Sequence, residues 1–265
     1  MLKDITLGQF FPGDSFIHKL DPRTKILFVV LFIIGLFQAK SWIGYGVVIA
    51  LAALCVAISG IKPKAIFKGL KPMLIIIALT AILNIFYTKG TPVLPGWPIT
   101  WEGIDRAVKM MLRITLLITG TFLLTYTTSP IALTDGLESL LSPLKKLRMP
   151  VHELAMMMCI ALRFIPTLIE ETDKIMSAQK ARGADFESGN LIQRVKALIP
   201  ILVPLFISAF RRADELATAM ECRCYQGGEG RTKMKLLRYS LLDLKAYLSG
   251  VLLLAGIIVL RVYGL

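Results

Sequence analysis

The chain has 265 residues and a formal net charge of +13, from 31 Lys and Arg against 18 Asp and Glu. Apolar residues make up 55% of it and charged residues 18%, whereas soluble domains average about 45–50% apolar, glycine included, and about 25% charged. This composition excludes a soluble globular enzyme and a disordered chain. Four scattered cysteines are too few for a secreted disulfide scaffold. An integral membrane protein with a basic side is expected.

Five apolar runs without charge predict membrane-spanning helices, since basic side chains at their ends can snorkel to the interface. They are residues 26–39, 41–61, 73–88, 114–129 and 246–260. The segment before the first run contains three Asp and no small-residue cleavage site, so the first run is expected to stay and not to be removed as a signal peptide. We expect an all-α membrane protein with about five transmembrane helices, divided into residues 1–129 with four spans, a cytoplasmic region 130–240, and residues 241–265 with the last span.

The placement of charge predicts the orientation of these spans. Lys62, Lys64, Lys68 and Lys71 lie between the second and third runs without an acidic neighbour, and short cationic loops are typical of the cytoplasmic side. The N-terminus is therefore expected in the cytoplasm, residues 89–101 outside, and residues 130–245 inside. Across residues 130–245, 17 basic residues accompany 13 acidic ones. This mixed charge is unlike a phosphate-binding stripe, so no nucleic-acid partner is expected.

Two segments of the cytoplasmic region repeat one design at a constant spacing. Each begins with an apolar half, residues 154–169 and 197–210, and continues into a charged half that ends at an arginine. Aligning Arg182 with Arg223 aligns four further pairs of similar residues: Asp173 with Asp214, Ile175 with Leu216, Ser177 with Thr218, and Ala178 with Ala219. Two copies are too few for a helical solenoid. We predict two long helices, each with its apolar half in or under the bilayer and an arginine at its tip.

A shorter amphipathic segment, residues 131–147, precedes the two copies. Its leucines recur at helical spacing, with Asp135 and Glu138 between them. Pro143 lacks the N–H that a continuous helix needs and makes a helix less favourable near the end of the segment. An ordinary interfacial helix explains this segment equally well.

The sequence contains no pattern for catalysis or for a bound cofactor. His18 and His152 are far apart, and neither begins a metal-ligand motif, while Cys222 and Cys224 lack the second pair that a zinc site needs. Residues 227–232 differ from a phosphate-binding loop because Arg231 replaces the lysine and a predicted helix precedes them. We expect no catalytic residue, no metal, no cofactor and no enzymatic activity. The spans also lack the ionisable residues that ion-coupled carriers use.

Three segments together are similar to the signatures of one transporter family. They are Gly13-Asp14-Ser15 with residues 18–25 before the first span, the tripeptide 181–183, and residues 221–225 followed by 227–232. On these segments, and on the order of spans and insert along the whole chain, the sequence resembles EcfT, the family of transmembrane coupling components of energy-coupling factor (ECF) transporters. One departure is that the second tripeptide, residues 222–224, lacks glycine.

The resemblance implies a multi-pass subunit of an ABC-type vitamin or metal importer in a bacterial or archaeal cell membrane. It implies as partners two ABC ATPase subunits, a small membrane protein that binds the substrate (the S-component), and membrane lipid. It also implies that the two long helices cross and that their tips form the ATPase interface, with Ala181, Arg182, Gly183, Cys222, Arg223 and Cys224. Because the second tip lacks glycine, its backbone is expected to approach a partner less closely, and the two sites are expected to be unequal.

Small residues in the first three spans permit close contact between helices. Gly46, Ala50 and Ala53 are the predicted S-component interface, although packing among the chain's own helices explains them equally well. A permease of a conventional ABC importer is the alternative function, and a membrane enzyme with a cytoplasmic site is a third. Two long coupling helices, spans without polar groups, and the lack of a catalytic cluster disfavour both.

Overall fold

A computed structural model describes residues 10–92, 99–186, 190–228 and 237–263, which are predominantly helical. The described α-helices are α1 (Phe16–Lys19), α2 (Pro22–Gln38), α3 (Trp42–Ser59), α4 (Pro63–Leu70), α5 (Leu74–Tyr87), α6 (Trp101–Thr127), α7 (Pro130–Leu141), α8 (Val151–Ala181), α9 (Leu191–Glu221) and α10 (Leu241–Val262). Two 3₁₀ segments, Lys71–Met73 and Ser142–Leu147, precede α5 and follow α7. Extended pairing among the described residues is limited to an isolated bridge between Pro92 and Thr100. The expected all-α membrane protein is confirmed.

Six helices within the described residues are long and apolar enough to cross a membrane, judged by length and composition alone. They are α3, the stretch Pro63–Tyr87, α6, α8, α10, and α9 from Ile192 onward. Four of them cover the second to fifth predicted runs. The first run forms α2, whose 17 residues are at the lower limit for a span. The chain is therefore a multi-pass membrane protein. The number of five crossings stays a prediction, because α8 and α9 are also long and apolar enough to cross a membrane.

The contacts divide the described residues into two compact units: residues up to 140 together with 237–263, and residues 141–228. The bundle unit contains α1–α6, nearly all of α7, and α10. The paired-helix unit contains the second 3₁₀ segment, α8 and α9. The amphipathic segment of the sequence is thus split between them, since it is α-helical to Leu141 and 3₁₀ from Ser142. Pro143, which disfavours a continuous helix, lies in the 3₁₀ part.

The core of the bundle unit lies where α2, α3, α6 and α10 meet. Leu36, Val48 and Ile257 are among its fully buried side chains. Gly35 allows α10 to approach α2, because a Cβ at this position would lie 3.2 Å from Ile257 Cδ1. Many large apolar side chains remain exposed on the outer faces of these helices, as a lipid-facing surface requires.

The N-terminal signature forms a polar junction at one end of the bundle unit. The backbone N–H of Asp21, the N-cap of α2, donates to Asp243 in the first turn of α10 at 2.9 Å. The Lys25 ammonium donates to the carbonyls of His18 and Thr127, at 3.2 Å and 2.9 Å. Lys25 and both carboxylate-bearing residues are buried, and buried charges need such partners. These residues therefore hold the starts of α2 and α10 and the end of α6 together.

Candidate functional site

The two copies of the repeat form two helices of 31 residues each, α8 and α9. Both helices continue through internal prolines, Pro166 in α8, and Pro200 and Pro204 in α9. Each proline removes one backbone hydrogen bond, but it leaves the rest of a long helical ladder in place. The predicted pair of long helices, each with an apolar and a charged half, is therefore confirmed.

One of the missing helical bonds is replaced from the other helix. Pro204 has no N–H to donate to the carbonyl of Pro200, four residues earlier. The Gln179 side-chain amide of α8 donates to this carbonyl in a long hydrogen bond of 3.4 Å. This exposed contact gives the carbonyl a donor in place of the missing N–H, and it joins the end of α8 to α9.

α8 and α9 are joined by an ion pair between Glu171 and Arg212, with Oε2 and Nη2 3.0 Å apart. The Ser208 hydroxyl also donates to the Glu171 carboxylate. These side chains lie where the apolar half of each helix passes into its charged half. Because Gln179 contacts Pro200 while Glu171 contacts Arg212, the two helices run in opposite directions past each other.

The tip of α8 ends in a Schellman cap. The Gly183 N–H donates to the Lys180 carbonyl and the Ala184 N–H to the Gln179 carbonyl, both at 3.0 Å. Gly183 has a φ of 87°, the left-handed conformation in which this cap favours glycine. The chain therefore turns away directly after Arg182 and leaves that residue exposed at the end of the helix.

The tip of α9 ends in the same cap, with cysteine in the position of the glycine. The Cys224 N–H donates to the Glu221 carbonyl at 2.8 Å, and the Tyr225 N–H to the Met220 carbonyl at 3.0 Å. Cys224 has a φ of 55°, which costs an L-residue about 1–2 kcal/mol. The departure from glycine thus keeps the type of backbone turn and adds strain and a thiol side chain.

Both tips are open to the surroundings of the paired-helix unit. All six predicted interface residues are exposed: Ala181, Arg182, Gly183, Cys222, Arg223 and Cys224. Neither Arg182 nor Arg223 forms an ion pair with another described residue. Arg182 lies eleven residues after Glu171 on α8, and Arg223 lies eleven residues after Arg212 on α9. Each distance is roughly 16 Å along the helix axis. The tips therefore point to opposite sides of the crossing at equal helical distances.

The small residues of the first spans divide into two groups in the bundle unit. Gly35 and Gly44 are buried in its interior. Gly46, Ala50 and Ala53 lie instead on an exposed stripe of α3. No heavy atom of the described residues lies within 4 Å of the place that a Cβ at Gly46 would take. The predicted S-component residues are therefore on an outer face of this chain.

The described residues offer no group of three or more His, Cys, Asp or Glu that could hold a metal ion.

After the second tip the chain returns to the start of α8, where a Cβ at Gly228 would collide with the ring of His152. Residues 229–232, the rest of the run compared with a phosphate-binding loop, lie outside the described residues.

Sequence reasoning missed the residues that join the two helices, Glu171, Ser208 and Arg212. A signal was present, because Glu171 and Arg212 have the same spacing as the two arginine tips and so occupy equivalent positions of the repeat. Opposite charges at equivalent positions look like a mismatch in an alignment of the two copies. Glu171 and Arg212 can form an ion pair because the two helices pass each other in opposite directions, which brings equivalent positions together.

Comparison with known proteins gives a consistent result along the chain. The family model described as "Cobalt transport protein" (CbiQ) matches residues 13–234. The energy-coupling factor transporter transmembrane protein EcfT of Clostridium kluyveri is 57% identical over 267 residues, 99% of either chain. The EcfT of Ruminiclostridium cellulolyticum is 57% identical over 246 residues, 92% of either chain. The EcfT of Bacillus subtilis is 47% identical over 264 residues, 98% of this chain and 100% of the relative.

These matches confirm the resemblance that the arginine tips and the N-terminal signature indicated. They also identify a transmembrane component of a transporter, which is not a catalytic subunit. The name of these relatives implies a complex with other components of an energy-coupling factor transporter. The chain belongs to the EcfT family of energy-coupling factor transporter transmembrane proteins.

Proposed function

We propose that this chain is the coupling subunit of an ECF-type importer for a vitamin or a metal. In this role it transmits ATP-driven motion of two ATPase subunits, through α8 and α9, to a substrate-binding S-component. The observation that carries the proposal is the pair of exposed arginine tips, Arg182 and Arg223, with the same cap and the same helical distance from Glu171–Arg212. Two equivalent tips suit two ATPase subunits.

The chemistry of arginine supports an interface at each tip. A guanidinium has five donors in a planar fork and can bind a carboxylate or two carbonyls at two points. Arg182 and Arg223 are exposed and have no ion-pair partner among the described residues, so their donors are available to another protein. The simpler alternative is a solvated arginine at a helix C-terminus, which the helix dipole also favours.

The S-component is proposed to bind the exposed stripe of α3 with Gly46, Ala50 and Ala53. A stripe without large side chains lets the backbone of a second helix approach closely and contributes few fixed polar bonds. This suits a subunit that must move against the scaffold. The outward position of the stripe supports the proposal over internal packing, because these three residues leave a free surface on the described chain.

The orientation and the region boundaries belong to the same proposal. The four lysines in and beside α4 support a cytoplasmic position for residues 60–72 by the positive-inside rule. The N-terminus and the region 130–240 with both arginine tips are then cytoplasmic as well, where ATP is available to the ATPase subunits.

Substitution of the tips tests the function. Arg182→Ala and Arg223→Ala should each weaken complex recovery or transport, and the double variant should abolish transport. Removing one side of a buried, hydrogen-bonded charge pair at an interface costs about 2–5 kcal/mol, or roughly 30-fold to several thousand-fold in affinity. Arg→Lys should rescue poorly because a point charge cannot replace a two-point fork.

Arg211→Ala is the matched control, since Arg211 is an exposed arginine of α9 away from the tip. It should leave complex recovery and transport unchanged. Transport at the wild-type rate by the double tip variant would show that Arg182 and Arg223 are only solvated helix ends. For the α3 stripe, Gly46→Leu should reduce recovery of the S-component and spare that of the ATPases.

A further inference from the structure

A cavity of about 730 Å³ lies at the end of the bundle unit where α2 ends and where α3 and α6 begin. Lys40, Arg106 and Arg113 line it together with Tyr45. None of these residues has been given a role by the coupling function. The cavity lies away from the polar junction of Lys25, at the opposite ends of α2 and α6, so it is a separate feature of the bundle unit.

The carboxylates of this cavity are already engaged. Glu102 accepts from the backbone N–H of Thr91 at 2.8 Å and from its hydroxyl. Asp105 accepts from the Lys109 ammonium at 2.7 Å and from the Trp42 indole N–H at 2.8 Å. The remaining cations therefore have no carboxylate partner among the described residues: Lys40, Arg106 and Arg113.

Two buried donors of the cavity lining also lack an acceptor within the described residues. Tyr45 is only 1% exposed, and its hydroxyl has no hydrogen-bond partner. The Nε of Arg113 is likewise buried and unpaired, and its Nη2 makes a long contact of 3.4 Å to the Ala39 carbonyl. The Arg113 guanidinium carbon lies 5.9 Å from the centre of the Tyr45 ring. Buried unpaired donors cost free energy, so an acceptor bound beside these two side chains would stabilise the fold.

The position of the cavity indicates where that acceptor comes from. Trp42 and Trp101 stand at the same helix ends and are more than half exposed. Exposed tryptophans at the ends of spanning helices mark the membrane interface, which is the depth of the lipid headgroups. A phosphate of a lipid headgroup at this depth has the charge and the acceptor oxygens that the cavity lacks.

We propose that this cavity binds the phosphate of an anionic glycerophospholipid. Arg113 and Tyr45 donate to its oxygens, as arginine commonly does to phosphate in a two-point geometry. Lys40 and Arg106 supply the balancing charge at the mouth. The bound lipid thereby ties the α2–α3 turn to the start of α6.

Native mass spectrometry of the full chain, stripped of lipid in detergent, tests this site. Phosphatidylglycerol, phosphatidylcholine and inorganic phosphate are titrated separately into wild type, Arg113→Gln, Tyr45→Phe and the control Lys64→Gln. Lys64 is an exposed lysine of α4, so its substitution removes the same charge outside the cavity. Tyr45→Phe removes only the unpaired hydroxyl and keeps the ring that packs in the core.

Wild type should retain one phosphatidylglycerol with about tenfold or greater preference over phosphatidylcholine. Loss of a charge-assisted hydrogen bond should weaken this binding roughly tenfold to a hundredfold in Arg113→Gln, and several-fold in Tyr45→Phe, and leave Lys64→Gln unchanged. Equal retention by wild type and both cavity variants would overturn the site. Equal binding of phosphatidylcholine would overturn the requirement for an anionic lipid, and displacement of the lipid by inorganic phosphate at similar concentration would identify free phosphate as the ligand.

Discussion

Glu171 of α8 and Arg212 of α9 form an ion pair at 3.0 Å, and their spacing along the chain equals that of the two arginine tips, Arg182 and Arg223. A residue and its own repeat equivalent can touch only where the two copies cross. The ion pair therefore marks the crossing, and the position of every other repeat pair follows from its distance along each helix.

The ion pair should contribute measurably to the pairing of α8 and α9. Both side chains are partly exposed, so we expect a coupling free energy of up to about 1 kcal/mol between Glu171→Gln and Arg212→Gln. A double-mutant cycle on thermal unfolding of the purified chain measures it. The reversed pair, Glu171→Arg with Arg212→Glu, should recover most of the stability that either single reversal loses. Additive losses in the cycle would contradict a direct interaction.

The caps of the two tips should respond oppositely to substitution. Gly183→Ala places a Cβ on a residue with a φ of 87° and should lower the stability of that helix end by about 1 kcal/mol. Cys224→Gly should raise it by a similar amount, because it removes the same strain at φ 55°. Hydrogen exchange of the last turn of each helix reports both changes. Ala181→Gly, before the left-handed position, controls for a general effect of glycine, and protection that falls in Cys224→Gly would speak against strain.

The contact between Gln179 and the Pro200 carbonyl predicts a dependence on Pro204. Gln179→Leu should destabilise the chain by about 0.5–1.5 kcal/mol, because it removes the hydrogen bond between α8 and α9. In a Pro204→Ala background the helix regains its own N–H donor, so the same substitution should cost less. Thermal unfolding of the four variants measures the difference. An equal loss in both backgrounds would mean that Gln179 stabilises the pair in another way.

Two glycines of the bundle unit, one closely packed and one in open space, test the packing of α5 on α6. A Cβ at Gly103 would lie 2.9 Å from the backbone carbonyl oxygen of Ile85, which cannot move without shifting α5 from α6. Gly103→Ala should therefore lower stability by about 1–3 kcal/mol. Gly46→Ala meets open space and should cause no loss in the isolated chain. Equal melting temperatures for the two variants would contradict the packing of α5 on α6.

Much of the fold could be predicted from the sequence because the decisive signals are local. Runs without charge locate the spans, and the change from apolar to charged residues predicts both α8 and α9. Pro143 disfavours a continuous helix in the amphipathic segment, and it lies in the 3₁₀ part. The crossing at Glu171 and Arg212 could not be predicted, because it depends on the direction in which the two helices pass each other.

The backbone conformation of single residues also could not be predicted from the sequence. Cys224 would be expected to avoid a positive φ, and its strained conformation follows from the cap that ends α9. Likewise, internal prolines predict weak points, yet Pro200 and Pro204 lie within an unbroken helix. Gln179 pairs one of the two carbonyls that these prolines leave without a helical donor. Both outcomes depend on hydrogen bonds between residues that composition and periodicity do not relate.

The matching caps of Gly183 and Cys224 have a consequence for symmetry. The two helices cross at repeat-equivalent residues, and their tips lie equally far from the crossing. A local two-fold axis through the crossing therefore relates α8 approximately to α9. A dimeric partner whose own axis coincides with this one can present the same groove twice, without a separate surface evolved for each tip. Only the side chains that differ between the copies, among them the thiol of Cys224, then distinguish one half of that partner from the other.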